Sequence, residues 1–252
     1  MIKKCHNPII LAVMVLIAVS LACSSVNPAP KTTETVIPGT AIATEVPTST
    51  PLPTATPNVA ATQAYDDLYE QVKVYNDKGY ISTLDGSYTP LDDFSESWAQ
   101  MNWYQWWTDD RTVSNFVYSG HFSWSTASPT PEISGCGIVF GIQPNKDHYA
   151  VFLDKSRILF LHAVSTSRYS NEVGKTRGTG RVNIGSPYDA DFSLVVNGNH
   201  SYIYVDKAFV GEYTLSADSI MQGNIGYTLY SGTNKDYGTK CEITDSRLWT
   251  FK

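Results

Sequence analysis

The chain has 252 residues, of which 42% are hydrophobic and 12% aromatic, so it is long enough to bury a sizeable core. Its 16 tyrosines and 6 tryptophans favour strands over helices. The net charge is −6, and removal of a leader that carries Lys3 and Lys4 leaves 16 basic against 24 acidic residues, or −8. Because phosphates require a dense basic face, this balance excludes nucleic acid as the expected partner.

The N-terminal segment has the organisation of a bacterial export signal. A pair of lysines is followed by Ile9 to Val19, an unbroken apolar run that is too short to span a membrane comfortably. The run leads to Ala22-Cys23, which resembles a lipobox, where the cysteine becomes diacylated on its sulfur. We predict a signal peptide over residues 1–22, lipidation of Cys23, and a lipid anchor at the extracytoplasmic face of the cell membrane. The alternative is an ordinary signal peptide with a chance cysteine.

Residues 23–57 form a segment rich in proline and threonine. Asn27 to Pro57 contains seven prolines and almost no large apolar side chains. Such a segment cannot bury enough surface to offset the entropy of ordering it, and its prolines favour extended polyproline II. We predict a disordered tether with a maximum reach on the order of 100 Å.

Residues 58–79 are predicted to form an amphipathic helix. Apolar residues recur at spacings of three and four from Ala61 to Tyr75, and Gly79 stands where a helix would end. The pattern allows the helix either to pack on the domain or to stiffen the end of the tether.

Residues 80–252 are predicted to form one all-β domain. Two apolar segments, His148 to Asp154 and Arg157 to Ala163, indicate a hairpin with both faces buried. A second hairpin is predicted around Asn197-Gly198, because both residues tolerate a positive φ. Strands follow one another at spacings of about ten residues, with turns rather than helices between them. The pattern predicts an antiparallel two-sheet jelly-roll sandwich.

Two cysteines fall within the predicted domain, Cys136 and Cys241. An even pair in an exported chain favours a disulfide, because thiols outside the cytosol are oxidised. Two buried free thiols are the alternative.

A family resemblance rests on the order of three segments, GIVFGIQPNKDHYAVFLD, FSLVVNGNHSYIYVDKAFVGEY and GNIGYTLYSGTNKDYGTKCEITDSRLWTF. This order resembles the concanavalin A-like lectin/glucanase jelly roll in its laminin-G-like form, over about residues 85 to 252. The positions that match are Gly137, Phe140, Tyr149, Val205, Asp206, Gly223, Gly226 and Trp249. The resemblance implies a sandwich fold and leaves function open.

Glucanases of this superfamily carry E-x-D-x-E or E-x-D-x-x-E on one strand, so that two carboxylates share a face for hydrolysis. The glutamates after the tether are Glu70, Glu96, Glu132, Glu172, Glu212 and Glu242, and no two have that spacing. Glu242 and Asp245 are the closest acids within one predicted strand, and their odd spacing predicts opposite faces. We predict no catalytic residue and no enzyme.

Calcium is the one cofactor that the resemblance suggests, since related sandwiches bind it through loop carboxylates. The candidate ligands are two acidic pairs, Asp92-Asp93 and Asp109-Asp110. Solvated acidic loops are the alternative, and no other cofactor is expected.

The densest sequence feature is the aromatic run Trp98, Trp103, Tyr104, Trp106 and Trp107. In a strand, Trp103 and Trp107 share one face, while Tyr104 and Trp106 share the other. One set then packs in the core and the other lies on a surface, where flat rings suit stacking on sugars; alternatively both sets are buried. Trp103, Trp106 and Trp107 are therefore candidate glycan-binding residues.

The first functional hypothesis is a surface-tethered, non-catalytic module that binds a glycan or another surface polymer. The second is a structural or adhesion domain that contacts protein. The third is a glycoside hydrolase with an acid pair that the spacing does not reveal. An accessible groove lined by aromatic rings favours the first hypothesis over the second.

Overall fold

The computed structural model describes residues 58–128, 133–154, 157–164, 170–174, 177–178, 188–216 and 222–252. They form the helix α1 (Val59–Asp77) and the strands β1 (Gly86–Pro90), β2 (Phe94–Trp98), β3 (Trp103–Val113), β4 (Asn115–Thr126), β5 (Gly135–Ile142), β6 (His148–Asp154), β7 (Arg157–Ala163), β8 (Ser170–Glu172), β9 (Arg177–Gly178), β10 (Tyr188–Asn197), β11 (His200–Val205), β12 (Ala208–Thr214), β13 (Gly223–Ser231) and β14 (Thr239–Phe251). The predicted signal peptide, the lipidation site Cys23 and the tether lie outside these residues. Within the described ranges, no helix is long and apolar enough to cross a membrane.

The strands form two antiparallel sheets. Sheet A has the order β1-β14-β4-β10-β11-β12, with β2 also paired to β14. Sheet B has the order β3-β13-β5-β6-β7-β8, with β9 paired to β7. The predicted fold class, an all-β sandwich of two antiparallel sheets preceded by a short helix, is confirmed.

Two tight turns depend on residues that adopt a positive φ. Gly198, between β10 and β11, has a φ of 56°. Asp206 and Lys207, between β11 and β12, have φ values of 48° and 66°. Positive φ at both turn residues matches the right-handed twist of paired strands, so this two-residue turn can close a hairpin without splaying it.

The main core lies between the inner faces of the two sheets. Sheet A contributes aromatic rings such as Phe122 and Phe192, whose centroids are 4.9 Å apart, and sheet B contributes Ile138 and Phe160. Each of these side chains is at most 1% exposed. Burial alternates along much of β4, which presents one apolar face to this core, whereas every residue of β6 is buried. The predicted burial of both faces holds for β6 but not for β7, where alternate residues are partly exposed.

A disulfide joins Cys136 of β5 to Cys241 of β14, as predicted. The two Cα atoms are 5.5 Å apart, and both residues are fully buried. Since β5 belongs to sheet B and β14 to sheet A, the bond crosses the core and ties the two sheets together.

Helix α1 packs on the outer face of sheet A. Its buried residues Leu68, Val72 and Tyr75 join a second cluster that includes Val117 and Trp249 from the sheet. The side chain of Asn58 caps the helix by accepting a hydrogen bond from the Ala61 N–H. The helix ends near Gly79, whose φ is 74°. The helix is thus packed on the domain, one of the two arrangements that its sequence pattern allows.

Candidate functional site

Strand β3 distributes the predicted aromatic residues over both faces of sheet B. Trp107 points inward and packs on Phe94, with ring centroids 5.2 Å apart. Trp106 belongs instead to a third apolar cluster, together with Tyr104. Trp103 begins the strand, is 47% exposed, and lies 6.0 Å from the ring of Tyr104. Trp107 is therefore separated from Trp106, as the alternation of a strand predicts. The predicted sharing of a face by Trp103 and Trp107 is wrong, because Trp103, at the start of the strand, stacks beside Tyr104 and does not pack on the main core.

We define the aromatic platform as Trp103, Tyr104, Trp106 and Tyr230, on and beside the outer face of sheet B. Trp106 and Tyr230 are partly exposed, whereas Tyr104 is only 5% exposed. The ring of Tyr104 lies 6.2 Å from that of Tyr230 in a stacked arrangement and 5.9 Å from that of Trp106. The platform is thus a set of adjoining rings in which a buried tyrosine supports more exposed neighbours.

A glycine of β5, Gly137, lies in the same register row as Trp106. The register places Trp106 opposite Thr228, Thr228 opposite Gly137, and Gly137 opposite Phe152. A Cβ atom on Gly137 would lie 3.0 Å from atoms of both the Phe152 and Thr228 side chains. A larger residue at this position would therefore disturb the layer on which the platform rests.

A chain of hydrogen bonds through His148 holds the Tyr104 hydroxyl in place. The Nδ1–H of His148 donates to the Lys146 carbonyl at 2.7 Å, so the neutral ring presents Nε2 as an acceptor. The Tyr104 hydroxyl donates to that Nε2 at 2.9 Å, and its oxygen lies 3.3 Å from the Ser170 hydroxyl. Burial raises the pKa of Tyr104, which keeps its hydroxyl protonated as this chain requires.

Burial also lowers the pKa of His148 below its ordinary value, although its bond to the Lys146 carbonyl raises it in part. The unfolded chain therefore takes up a proton at this histidine before the folded chain does. The contribution to stability is fully present above about pH 6.5 and is lost as the pH falls through the folded-state pKa. Protonated Nε2 could no longer accept from Tyr104.

We expect the free energy of unfolding to decrease between about pH 7 and pH 5, as measured by urea denaturation. His148→Gln should reduce this decrease, because it removes one of the groups that titrate differently in the two states. His200→Gln is the matched control, since His200 is a histidine whose side chain is 46% exposed. Equal pH dependence in wild type and His148→Gln would contradict the expectation.

The proposed calcium ligands are distributed around an open recess rather than converging on one point. Asp92, Asp109 and Asp110 line it together with Arg111, whose guanidinium pairs with Asp109. Asp93 is exposed beside it. Among the residues that the structure describes, no group of three or more His, Cys, Asp or Glu side chains is arranged to hold a metal ion.

Sequence reasoning did not find a cleft of about 640 Å³ between α1 and the outer face of sheet A. Its lining combines charged, neutral polar and aromatic residues: Asp67, Glu70, Gln71, Val74, Tyr75, Lys78, Ser119, Gly120, His121, Asp191, Ser193, Tyr204, Lys207, Asp245 and Arg247. These residues come from the helix and its C-cap Lys78, from four strands, and from the turn that contains Lys207. The alternating polar residues of β4 and β10 indicate that one face of each strand points outward. They do not indicate that a helix packs over this face and forms a cleft with it.

The expected separation of Glu242 and Asp245 onto opposite faces was wrong. The register of β14 against β4 shifts between Thr244 and Arg247, and Asp245 has a φ of 52°. This bulge places Asp245 beside Arg247 on the outer side of sheet A, the side to which Glu242 also points. Strict alternation fails here because a bulge inserts residues without a partner on the neighbouring strand.

No protein-family model matches the chain, so its membership of the laminin-G-like family stays a prediction. No curated protein matches it in sequence either. Among solved structures, the carbohydrate binding module CBM66 from Bacillus subtilis is similar over 64% of this chain and 94% of its own, with 10% identity and a TM-score of 0.45. Sheep galectin-11, solved in complex with glycerol, is similar over 59% of this chain and 98% of its own, with 10% identity and a TM-score of 0.37. LamAcat from Zobellia galactanivorans is similar over 57% of this chain and 67% of its own, with 11% identity and a TM-score of 0.39.

Proposed function

We propose that this protein is a cell-surface-tethered, non-catalytic module that binds glycans through the aromatic platform of sheet B. The observation that carries the proposal is the exposure of Trp103, at 47%, beside the partly exposed rings of Trp106 and Tyr230. A flat aromatic ring offers apolar area at low cost in conformational entropy. The apolar face of a sugar ring can stack on it while the sugar hydroxyls stay in water.

The fixed position of the platform supports this proposal. Tyr104 is held by ring contacts and by its hydrogen bond to His148, so the neighbouring rings rest on an ordered base. A binding surface that is ordered before the ligand arrives loses less entropy on binding. Helix α1 packs on the other sheet and so does not cover this face.

The non-catalytic part of the proposal is supported by the carboxylate in the same register row as Tyr104. That residue, Asp154, is fully buried, accepts a hydrogen bond from the Ser134 N–H at 3.0 Å, and pairs with Arg157 at 2.7 Å. Hydrolysis of a glycosidic bond requires two carboxylates that reach the substrate. Both oxygens of the Asp154 carboxylate instead bind groups of the protein itself, the Ser134 N–H and the Arg157 guanidinium.

Glycan binding is tested with the purified full-length chain in detergent on an array of glucans, mannans, galactans and xylans. We expect Trp103→Ala to weaken binding about tenfold, since one ring stack contributes about 1 kcal/mol or slightly more. Tyr65→Ala is the matched control, because this exposed tyrosine lies on α1, which covers the opposite sheet. Absence of binding to every glycan would refute the proposal and favour a structural or adhesion domain. Release of reducing sugar would instead favour a hydrolase.

The tethering part of the proposal rests on the sequence around Cys23, with its preceding apolar run and the proline-rich segment that follows. We expect cells that express the wild-type chain to incorporate radiolabelled palmitate into it. Replacement Cys23→Ala should abolish the label, because no acceptor thiol would then stand at the predicted processing site. Labelling that persists in this variant would show that the lipid is attached at a position other than Cys23.

A further inference from the structure

The cleft between α1 and sheet A has the size of a small-ligand site. Its volume of about 640 Å³ lies within the range of ligand pockets in proteins. Leu68 and Val72 are fully buried beneath the helix, so the cleft wall is packed against the sheet. The wall and floor are therefore formed before any ligand binds.

We propose that this cleft is a second glycan-binding site, separate from the aromatic platform, which takes a neutral segment of a polysaccharide chain. The inference rests on the proposed function, since it assigns a further site to the same class of ligand. Three features of the cleft support it: the charge balance of the lining, its hydrogen-bonding groups and an exposed ring near its edge.

The charges of the lining largely compensate one another. It contains four carboxylates and three Lys or Arg side chains. Arg247 lies between Asp67, at 3.6 Å, and Asp245, at 3.8 Å. His121 contacts Asp191 at 2.9 Å through Nδ1. Because these ionic groups already have partners, neither a strongly cationic nor a strongly anionic ligand is favoured.

The same groups suit a ligand that carries many hydroxyls. A sugar hydroxyl donates one hydrogen bond and accepts others, so it requires donors and acceptors side by side. The Ser193 hydroxyl donates to Gln71 Oε1 at 3.1 Å, which joins the sheet to the helix at the floor of the cleft. The carboxylate of Asp191 is 62% exposed and can accept hydroxyl protons while it contacts His121.

An exposed aromatic ring lies next to Tyr204, a residue of the lining. Tyr204 lines the cleft, and its hydroxyl accepts a hydrogen bond from Lys78 at 2.9 Å. The ring of Phe209 lies 5.4 Å from that of Tyr204 and is 49% exposed. A chain of sugars that fills the cleft can therefore stack its next unit on Phe209.

The test is calorimetric titration of the full-length chain in detergent with neutral hexasaccharides of glucose, mannose, galactose and xylose. Wild type should bind two molecules of the hexasaccharide that it recognises. Asp191→Ala and Phe209→Ala should each weaken one of the two sites about tenfold, the former through a charge-assisted hydrogen bond and the latter through ring stacking. That site should keep its affinity between 0.05 and about 0.5 M salt, because its ligand is neutral.

Two matched controls separate the cleft from general effects of substitution. Asp189→Ala removes another acid that contacts His121, at 3.7 Å, but that does not line the cleft. Tyr237→Ala removes an aromatic residue that is 44% exposed and lies elsewhere on the surface. Both controls should keep wild-type affinity at both sites.

The possible outcomes distinguish the second site from the proposed function. A single site that is lost in Trp103→Ala and unchanged in Asp191→Ala and Phe209→Ala would overturn the second site and leave the proposed function standing. A site that is weakened only by the two cleft variants would support the inference and remove the platform from the function. Strong salt dependence of the cleft site would overturn the neutral ligand class, and absence of all binding would overturn both proposals.

Discussion

Loss of the Cys136–Cys241 disulfide is expected to lower the free energy of unfolding by about 4.7 kcal/mol on a chain-entropy estimate. The two cysteines are 105 residues apart, so the bond closes a long loop of the unfolded chain and removes much of its freedom. For a domain of this size, that change lowers the melting temperature by about 10 °C or more.

The measurement compares thermal unfolding of the oxidised wild type with that of a Cys136→Ala/Cys241→Ala variant. Alanine is preferred to serine, because both positions are fully buried and a hydroxyl there would add a polar group without a partner. Addition of reductant should affect the wild type and leave the double variant unchanged. A melting temperature that is the same for both proteins would contradict the expected constraint.

The disulfide was predictable because the domain contains one pair of cysteines, and the expected export of the chain favoured their oxidation. The strands were predictable for a related reason: alternate burial and turn residues, such as Asp206 and Lys207, are local properties of the sequence. A strand of period two also places Trp106 and Trp107 on opposite faces. What the period does not specify is which of the two faces lies against the other sheet.

Contacts between residues distant in sequence were the part that could not be predicted. Tyr104 and His148 are 44 residues apart in sequence. They meet only because β3 and β6 belong to the same sheet, where β13 and β5 lie between them. The cleft depends on the same kind of information, since Gln71 and Ser193 are 122 residues apart. No local pattern encodes the strand order that creates these pairs.

The bulge at Asp245 shows a different limit of sequence reasoning. Alternation predicts the face of a residue only while each residue has one partner on the neighbouring strand. The segment from Thr244 to Arg247 contains no glycine, the residue that most often signals a positive φ. Aspartate tolerates this conformation better than most other residues do, and its presence there was the only local signal.

The helix posed the remaining ambiguity, because an amphipathic stripe indicates that one face is buried but does not identify what covers it. In the structure that face lies on sheet A, where Leu68 and Val72 meet Val117, Val195 and Trp249. If the contact forms part of the folded domain, the stability of the whole sandwich depends on it. A helix that only stiffened the tether would unfold independently.

Leu68→Ala is therefore expected to lower the free energy of unfolding by about 3 kcal/mol, because Leu68 is fully buried and its truncation leaves a cavity between helix and sheet. Val74→Ala is the matched control on the same helix: Val74 is 47% exposed, and its change should stay within about 0.5 kcal/mol. Urea denaturation followed by tryptophan fluorescence measures both. If Leu68→Ala were as stable as Val74→Ala, or if the helix unfolded in a separate transition, α1 would not belong to the cooperative core, and the cleft that it walls would not be preformed.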